Sequence, residues 1–213
     1  MEISNHLIEF ELPNAADFTE KCIALYALLT EANSKFNLTR IDSEEGFWCK
    51  HVYDSLAIVR YFPFLKTNPL PLADIGCGAG FPALILAAAF PHLAVTAIDS
   101  AGKKITFVAE AAKKLGLKNL TAVNGRSTEL ARKVEWKGKF QVITARAVGS
   151  GVIIYADANR MLASGGKFIL YKTPNQAEEE LPLLRRVKPE RKWRMSENFE
   201  LPDNAGSRTF LYF

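Results

Sequence analysis

A glycine-rich segment lies between two apolar stretches and reads Asp74-Ile75-Gly76-Cys77-Gly78-Ala79-Gly80. Glycines at a strand-to-helix turn let the backbone adopt positive φ angles and approach a ligand without an intervening Cβ. The spacing is G-x-G-x-G, with an acidic residue two positions before the first glycine. Dinucleotide-binding loops use G-x-G-x-x-G instead and bind a pyrophosphate at the helix N-terminus. The segment therefore predicts a nucleoside-cofactor site and argues against a dinucleotide.

A second acidic residue, Asp99, ends the apolar stretch AVTAID and lies 19 positions after Gly80. A carboxylate at the tip of a second strand can accept hydrogen bonds from both hydroxyls of a ribose. NAD and S-adenosylmethionine share this feature, so Asp99 supports a nucleoside cofactor without choosing one. The alternative is an ordinary helix N-cap before GKKITFVAE.

If the cofactor is S-adenosylmethionine, the segment after FQVITA limits which kind of group can accept the methyl group. Enzymes that methylate exocyclic amines of adenine or cytosine usually carry Asn/Asp-Pro-Pro-aromatic here, whereas this chain has Arg146-Ala147-Val148. Enzymes that methylate C5 of cytosine need a nucleophilic cysteine in or near this segment, and the chain has none there. We therefore expect an acceptor that is already nucleophilic at neutral pH. Guanine N7 is such an acceptor, since it has a lone pair and no proton to remove. Positioning of N7 against the methyl group can then lower the activation free energy by about 7–11 kcal/mol. Arginine or lysine side chains can hold the O6 edge of the base or the flanking phosphates.

The elements that position these residues begin with an N-terminal helical region. The apolar residues Phe18, Cys22, Leu25, Leu28 and Leu29 recur at helical spacing, and a second helix is predicted over 44–61. The proline-containing segment TNPLP at 67–71 then ends this region. We predict a helical cap over 1–70 and a core over 71–213, together forming one compact unit.

In the core, short apolar strands alternate with helices, which is typical of parallel strands joined by right-handed crossovers. Strands are predicted near 72–75, 93–98, 119–123, 140–144, 166–171, 191–196 and 207–212. Helices are predicted near 81–90, 102–115, 126–133, 149–163 and 175–187. The predicted fold is α/β and Rossmann-like, with a mostly parallel seven-stranded sheet, an antiparallel edge and helices on both faces.

The composition is that of a soluble globular protein, with 48% hydrophobic and 23% charged residues and a net charge of +4. Cys22, Cys49 and Cys77 are far apart, so we expect no disulfide framework and no metal site. The N-terminus does not resemble a secretory signal, and prolines interrupt the apolar tract at 81–98. These features favour the cytoplasm and no membrane span. Two basic clusters, near 103–118 and 185–194, fit either a nucleic-acid partner or solvated helix faces.

The glycine spacing resembles motif I of class I methyltransferases, and the chain as a whole resembles the bacterial RsmG (GidB) family. The motifs that carry the resemblance are NLTRI at 37–41, HVYDSLAI at 51–58, DIGCGAGFP at 74–82, IDSAGKKITFV at 98–108, NGRSTEL at 124–130, ARAVG at 145–149 and SGGKFILYK at 164–172. The resemblance implies a class I fold and methyl transfer from S-adenosyl-L-methionine to N7 of guanine 527 in 16S rRNA. The implied partner is 16S rRNA or the 30S subunit, and we expect a monomer.

The resemblance also implies site residues. Together with the loop and Asp99, the expected cofactor-binding residues are Asp74, Gly76, Gly78, Phe81, Asp99, Ser127, Thr128 and Arg146. The candidates for positioning the acceptor are Lys103, Arg126 and Arg208. Ser127 and Thr128 also suit an ordinary helix start, and the two arginines at 126 and 146 also suit salt bridges. For His51 and Asp54 we favour a structural role in the cap over an acid–base pair.

Two other classes of function remain open at this point. One is a methyltransferase that acts on a small molecule or a protein. The other is a non-catalytic ribosome-binding or NAD-binding module of the same fold, although the glycine spacing disfavours NAD. Binding measurements with both cofactors distinguish these classes.

Overall fold

The computed structural model describes residues 6–41 and 43–213, with Phe36 described by its backbone alone. The first five residues of the predicted cap, and Asp42, lie outside the described residues. Helix α1, Ala15–Phe36, begins after Asn14, whose side chain accepts a hydrogen bond from the Asp17 N–H. It ends at Asn37 in a left-handed conformation. As its spacing predicts, α1 buries Phe18, Cys22, Leu25 and Leu29, whereas Leu28 is half-buried.

The second cap segment differs from the single helix predicted over 44–61. It consists of α2 (Glu44–Phe47), a π-helical turn (Trp48–Tyr53), α3 (Asp54–Leu56) and α4 (Ile58–Tyr61). Five of the six residues in the π-helical turn are buried, which one face of a straight α-helix cannot achieve. Such turns are frequent at functional sites. This one places Lys50, His51 and Asp54 on the side of the cap that faces the sheet's ligand-binding edge.

The sheet confirms the predicted Rossmann-like class. Its strands are β1 (Pro71–Ile75), β2 (Ala94–Asp99), β3 (Leu120–Asn124), β4 (Phe140–Arg146), β5 (Leu162–Lys172), β6 (Arg194–Met195), β7 (Phe199–Glu200) and β8 (Ser207–Tyr212). Their order is β3-β2-β1-β4-β5-β8-β6, and the first five are parallel. β8 runs antiparallel to β5 and to β6. The short strand β7, which the sequence did not predict, pairs with β8.

Four of the five core helices are shorter than predicted, and α9 begins one residue earlier than predicted. They are α5 (Ala83–Ala89), α6 (Gly102–Lys114), α7 (Ser127–Leu130), α8 (Gly151–Ala158) and α9 (Pro174–Val187). α5 starts two residues late because the chain is still in turns up to Pro82. α9 begins with a capping box in which Thr173 and Gln176 exchange hydrogen bonds.

Successive residues of the central strands point into two different hydrophobic clusters. Leu72 belongs to the cluster shared with the cap helices, α5 and α6, whereas Ala73 belongs to the cluster beneath α8 and α9. This alternation follows from the two-residue period of a strand. Tyr61 and Phe62 of the cap contact Phe210 of β8 edge to face, with ring centroids 5.4 and 6.0 Å apart, so the cap packs directly on the sheet. The boundary at residue 70 stays a prediction.

Three further observations concern the described part of the chain. None of its helices combines the length and apolar character that crossing a membrane requires. No group of three or more His, Cys, Asp or Glu side chains in the same residues is placed to hold a metal ion. Cys22, Cys49 and Cys77 are free and buried.

Candidate functional site

The glycine turn follows β1 at the point where the strand order changes direction, between β1 and β4. Ligands of open α/β sheets bind at this switch point, beyond the carboxyl ends of the strands. Gly76 has a φ of 68°, and a Cβ added to it would lie 2.2 Å from Cγ1 of Val148. Gly78 has a φ of 58°, with nothing within 4 Å of an added Cβ. Gly76 is therefore required both for the turn and for close approach of the loop after β4.

Asp99 anchors the same turn. Its Oδ2 accepts a hydrogen bond of 2.9 Å from the Gly78 N–H, and its Oδ1 accepts one of 2.8 Å from the Ala101 N–H. Each carboxylate oxygen retains a second lone pair. The N-cap position of α6 is occupied by Ala101 and has no side-chain cap, so Asp99 is not the N-cap residue. Its carboxylate is held in place at the edge of a cavity.

This first cavity has a volume of about 400 Å3. Its lining residues are Ile75, Gly76, Ile98, Asp99, Ser100, Gly125, Arg126, Ser127, Thr128, Val148, Ile154 and Asp157. The structure thus brings together Gly76, Asp99, Ser127 and Thr128, four of the residues expected to bind the cofactor, and adds Arg126. Apolar walls with a few polar groups fixed by the backbone fit a nucleoside.

The segment around Ser127 is the start of the short helix α7. Arg126 is its N-cap residue, is exposed and makes no side-chain cap hydrogen bond. Ser127 and Thr128 are half-buried and face the first cavity. They lie inside the first turn, so they do not serve as the cap that an ordinary helix start would need.

A second cavity, of about 710 Å3, lies between the cap and the carboxyl ends of β4 and β5. Its lining residues are Thr39, Arg40, Ile41, Lys50, His51, Asp54, Lys104, Arg146, Ala147, Tyr171, Lys172, Thr173, Gln176 and Arg208. Six of these side chains are cationic, and one, Asp54, is acidic. Ala147 lines this cavity and Val148 the first, so the loop after β4 separates the two. Ala147 has a φ of 54°, a strained conformation that is common at functional sites.

Arg146 connects this loop to the cap. Its guanidinium donates to the Lys50 carbonyl at 2.7 Å and to Asp54 Oδ2 at 2.9 Å. Nε of Arg208 lies 3.5 Å from the same Asp54 oxygen. Arg146 therefore lines the second cavity and makes an ion pair between the end of β4 and the cap. Its direct contact with a cofactor stays a prediction.

His51 also takes part in this network. Its Nδ1 lies 3.0 Å from the Arg146 guanidinium, which can only donate, and its Nε2 lies 3.2 Å from the Thr39 hydroxyl. The ring stacks on Phe81 with centroids 3.9 Å apart. Burial, and then the charge of Arg146, lower the pKa of His51 to about 3. The imidazole is thus neutral at physiological pH, which supports the structural role over an acid–base role.

Four expected residues, Asp74, Gly78, Phe81 and Lys103, lie outside both linings. Phe81 is buried under His51, Asp74 is buried beneath the glycine turn, and Lys103 is exposed on α6. The next residue, Lys104, lines the second cavity. Arg208 lines it as well, so one of the three positioning candidates lies there. The roles of all these residues stay predictions.

Sequence reasoning missed several residues of the second cavity. Lys172 donates to Glu180 Oε1 at 2.8 Å and to the Gly149 carbonyl at 3.2 Å, while Glu180 Oε2 accepts from the Gly151 N–H at 2.7 Å. This ion pair braces the loop after β4. The only sequence signal for it was Lys172 in the motif SGGKFILYK, because Glu180 lies in a helix with other acidic residues.

Asp74 is fully buried, and its Oδ1 accepts a hydrogen bond of 3.0 Å from the Thr144 hydroxyl. Its Oδ2 has no hydrogen-bond partner among the described residues. Burial raises the pKa of Asp74 to about 7, against the opposing effects of Thr144, Arg146 and the Ala83 N–H. The carboxyl group therefore titrates near neutral pH.

We expect Asp74→Asn to remove a pH-dependent loss of stability. The folded-state pKa is raised, so the stabilisation is complete below about pH 4 and is lost as the pH rises through 7. We compare the unfolding free energy of the variant with that of the unchanged chain at each pH. This difference should change by about 2–4 kcal/mol in favour of the variant from pH 4 to pH 8. Urea denaturation at both pH values measures this gain. Asp17→Asn changes a carboxylate whose side chain is 45% exposed and should show no such gain. An equal pH dependence in all three proteins would contradict the prediction.

The fold and the glycine turn define a class I, Rossmann-like methyltransferase fold. A methyltransferase from Aquifex aeolicus described as S-adenosylmethionine-dependent has a TM-score of 0.60 at 14% identity, covering 83% of this chain and 95% of that one. The Bacillus subtilis m1A22 tRNA methyltransferase TrmK has a TM-score of 0.53 at 19% identity, covering 75% and 64%. At these identities the likeness concerns the fold alone.

The chain belongs to the rRNA small subunit methyltransferase G (GidB) family, whose model matches residues 19–195. The resemblance expected from the motifs is confirmed. Ribosomal RNA small subunit methyltransferase G of Exiguobacterium sibiricum is 40% identical over 72% of this chain and 64% of its own length. The relative from Streptococcus pyogenes serotype M12 is 41% identical over 73% of this chain and 65% of its own length. The relative from Brevibacillus brevis is 36% identical over 87% of this chain and 78% of its own length. The chain thus matches just under two thirds of the length of the first two relatives.

Proposed function

We propose that this protein transfers a methyl group from S-adenosyl-L-methionine to N7 of guanine 527 in 16S rRNA. The observation that carries the proposal is the pair of cavities separated by one loop. The first suits a nucleoside, and the second is lined by six cationic side chains that suit an RNA acceptor. Family membership supports both the cofactor and the small-subunit rRNA substrate.

The residues of the first cavity fit this cofactor. Asp99 has lone pairs free for the ribose hydroxyls, and the walls formed by Ile98, Val148 and Ile154 suit an adenine. Gly76 and Gly78 provide a turn without Cβ atoms where the methionine portion would pass. When bound, the cofactor supplies an electrophilic methyl group on a sulfonium sulfur.

The second cavity would orient the acceptor base. Guanine N7 attacks with its own lone pair, so the protein needs to position the base rather than deprotonate it. The described side chains agree with this requirement, because His51 is hydrogen-bonded through both ring nitrogens and Lys172 is paired with Glu180. Lys50, Lys104 and Arg208 line this cavity and would contact phosphates or the O6 edge.

Further proposals follow for the partner and the location. The substrate would be 16S rRNA, free or within the 30S subunit, and the protein would act in the bacterial cytoplasm as a monomer. The basic residues at 103–118 lie on α6 and the turn after it, and Lys104 continues this cluster into the second cavity. An RNA that enters the cavity therefore meets positive charge outside it as well.

The experiment that tests the proposal uses 30S subunits from cells that lack this modification. The protein is incubated with methyl-labelled S-adenosylmethionine, and the labelled nucleotide is mapped by mass spectrometry. We expect label on N7 of guanine 527. Label on an exocyclic amine or another nucleotide would refute the specific assignment. Label on proteins or metabolites alone, or no transfer despite cofactor binding, would favour one of the alternative functions.

A further inference from the structure

The carboxylate of Asp54 is only half satisfied. Its Oδ2 accepts a hydrogen bond from Arg146 and lies 3.5 Å from Nε of Arg208. Its Oδ1 is buried and has no hydrogen-bond partner among the described residues. The side chain is 4% exposed and lines the second cavity. A buried carboxylate oxygen without a donor is costly, so a ligand in that cavity that shifts the atoms covering Oδ1 and donates to it would relieve the cost.

The two arginines determine which oxygen is available. Because both approach Oδ2, the carboxylate is held in one orientation, and Oδ1 is left for another donor. The other lining residues of the described chain add no second acidic group to this cavity. Asp54 is therefore the one carboxylate among six cations, at a place where a phosphate-binding role would call for none.

We propose that Asp54 is the residue that selects guanine: its Oδ1 accepts hydrogen bonds from N1–H and from the 2-amino group of the target base. This inference rests on the proposed function. Both groups are donors in guanine, whereas the N1 atom of adenine is an acceptor that a carboxylate repels. Arg208 lies beside Asp54 through Nε and donates from Nη1 to the Ser207 carbonyl, so its other guanidinium nitrogen, Nη2, would address the neighbouring O6 atom, an acceptor. The base is thus recognised on the edge remote from N7.

The charge of Asp54 also suits the reaction. The N7 lone pair forms the new N–C bond, the electron pair of the broken S–C bond stays on sulfur, and no proton leaves. Positive charge consequently passes from the sulfur to the guanine ring. A carboxylate bonded to the N1 edge stabilises this developing charge more than it stabilises the neutral base. Asp54 would therefore contribute to the rate as well as to selectivity.

The test compares reconstituted 30S subunits that carry either guanosine or inosine at nucleotide 527. Inosine keeps N7, O6 and N1–H but lacks the 2-amino group. The unchanged protein should methylate guanosine about 10-fold or more faster than inosine, because inosine leaves the buried oxygen less well paired. Asp54→Asn places an amide where the free oxygen was, and should lower the rate on guanosine and bring the ratio close to one. The matched variant Asp17→Asn should keep the original ratio.

Two outcomes would overturn the inference while the proposed function stands. One is equal rates on guanosine and inosine by the unchanged protein. The other is an Asp54→Asn variant that slows both substrates equally, which a purely structural role would produce. If that variant does not fold, the unchanged protein is tested on subunits that carry 1-methylguanosine at nucleotide 527. Methylation of N7 at the rate measured for guanosine would contradict the inference, and loss of N7 methylation would support it. Failure of the proposed function shows separately, as no N7 methylation of guanosine.

Discussion

Gly76→Ala should weaken S-adenosylmethionine binding by about 10- to 100-fold, because an added Cβ would lie 2.2 Å from Val148 Cγ1 at a φ of 68°. The side chain of Val148 is β-branched and stiff, so the loop after β4 must move away from the glycine turn. Overpacking and the left-handed conformation together should lower the unfolding free energy by about 2–4 kcal/mol. Calorimetric titration with the cofactor and urea denaturation measure the two effects.

The chain contains a matched control for this prediction. Gly116 has the same φ of 68°, but nothing lies within 4 Å of a Cβ added to it. Gly116→Ala therefore introduces the backbone strain without the clash, and should cost about 1–2 kcal/mol with normal cofactor binding. If the two variants bound the cofactor equally well, close approach of Val148 would not be the reason for glycine at position 76.

Arg146→Ala should have the second large effect, a loss of about 3–5 kcal/mol of unfolding free energy. The side chain is 12% exposed and its partner Asp54 4% exposed, so the substitution leaves a buried carboxylate with Arg208 alone. It also removes the donor to Lys50 and His51. We expect methyl transfer to 30S subunits to fall with it. Chemical denaturation and the labelling assay provide the measurements.

Arg132 supplies the comparison, because it is exposed on the segment after α7. Arg132→Ala should change stability by less than about 0.5 kcal/mol. Arg146→Lys keeps the charge, but its single ammonium group cannot reproduce the planar arrangement of donors, so partial loss is expected. A stability of Arg146→Ala equal to that of Arg132→Ala would show that the contact between cap and loop contributes little.

Sequence patterns were sufficient where the chain is locally regular. The alternation of apolar strands and helices gave the five parallel strands, and the glycine spacing located the turn whose positive φ angles the structure shows. Asp99 was placed correctly at the end of β2 because strand ends and ligand sites coincide in such folds.

Patterns failed where long-range packing decides the geometry. The π-helical turn over Trp48–Tyr53 cannot be told from an α-helix by apolar spacing, yet it sets the position of His51 and Asp54. The pairing of Arg146 with Asp54 joins residues 92 positions apart, and no local signal specifies it. For the same reason Lys104, rather than its neighbour Lys103, lines the second cavity: one step along a helix changes the direction of a side chain by about 100°.

The loop after β4 presents Val148 to one cavity and Ala147 to the other, and it is braced by Lys172 and Glu180. Two ligands that share one wall do not bind independently when that wall moves as a unit. Any shift of this loop that favours the nucleoside also alters the fit of the base, and linkage requires the effect to be equal in both directions. We therefore expect the cofactor and the RNA to bind cooperatively, with the methylated product and the spent cofactor coupled in their release.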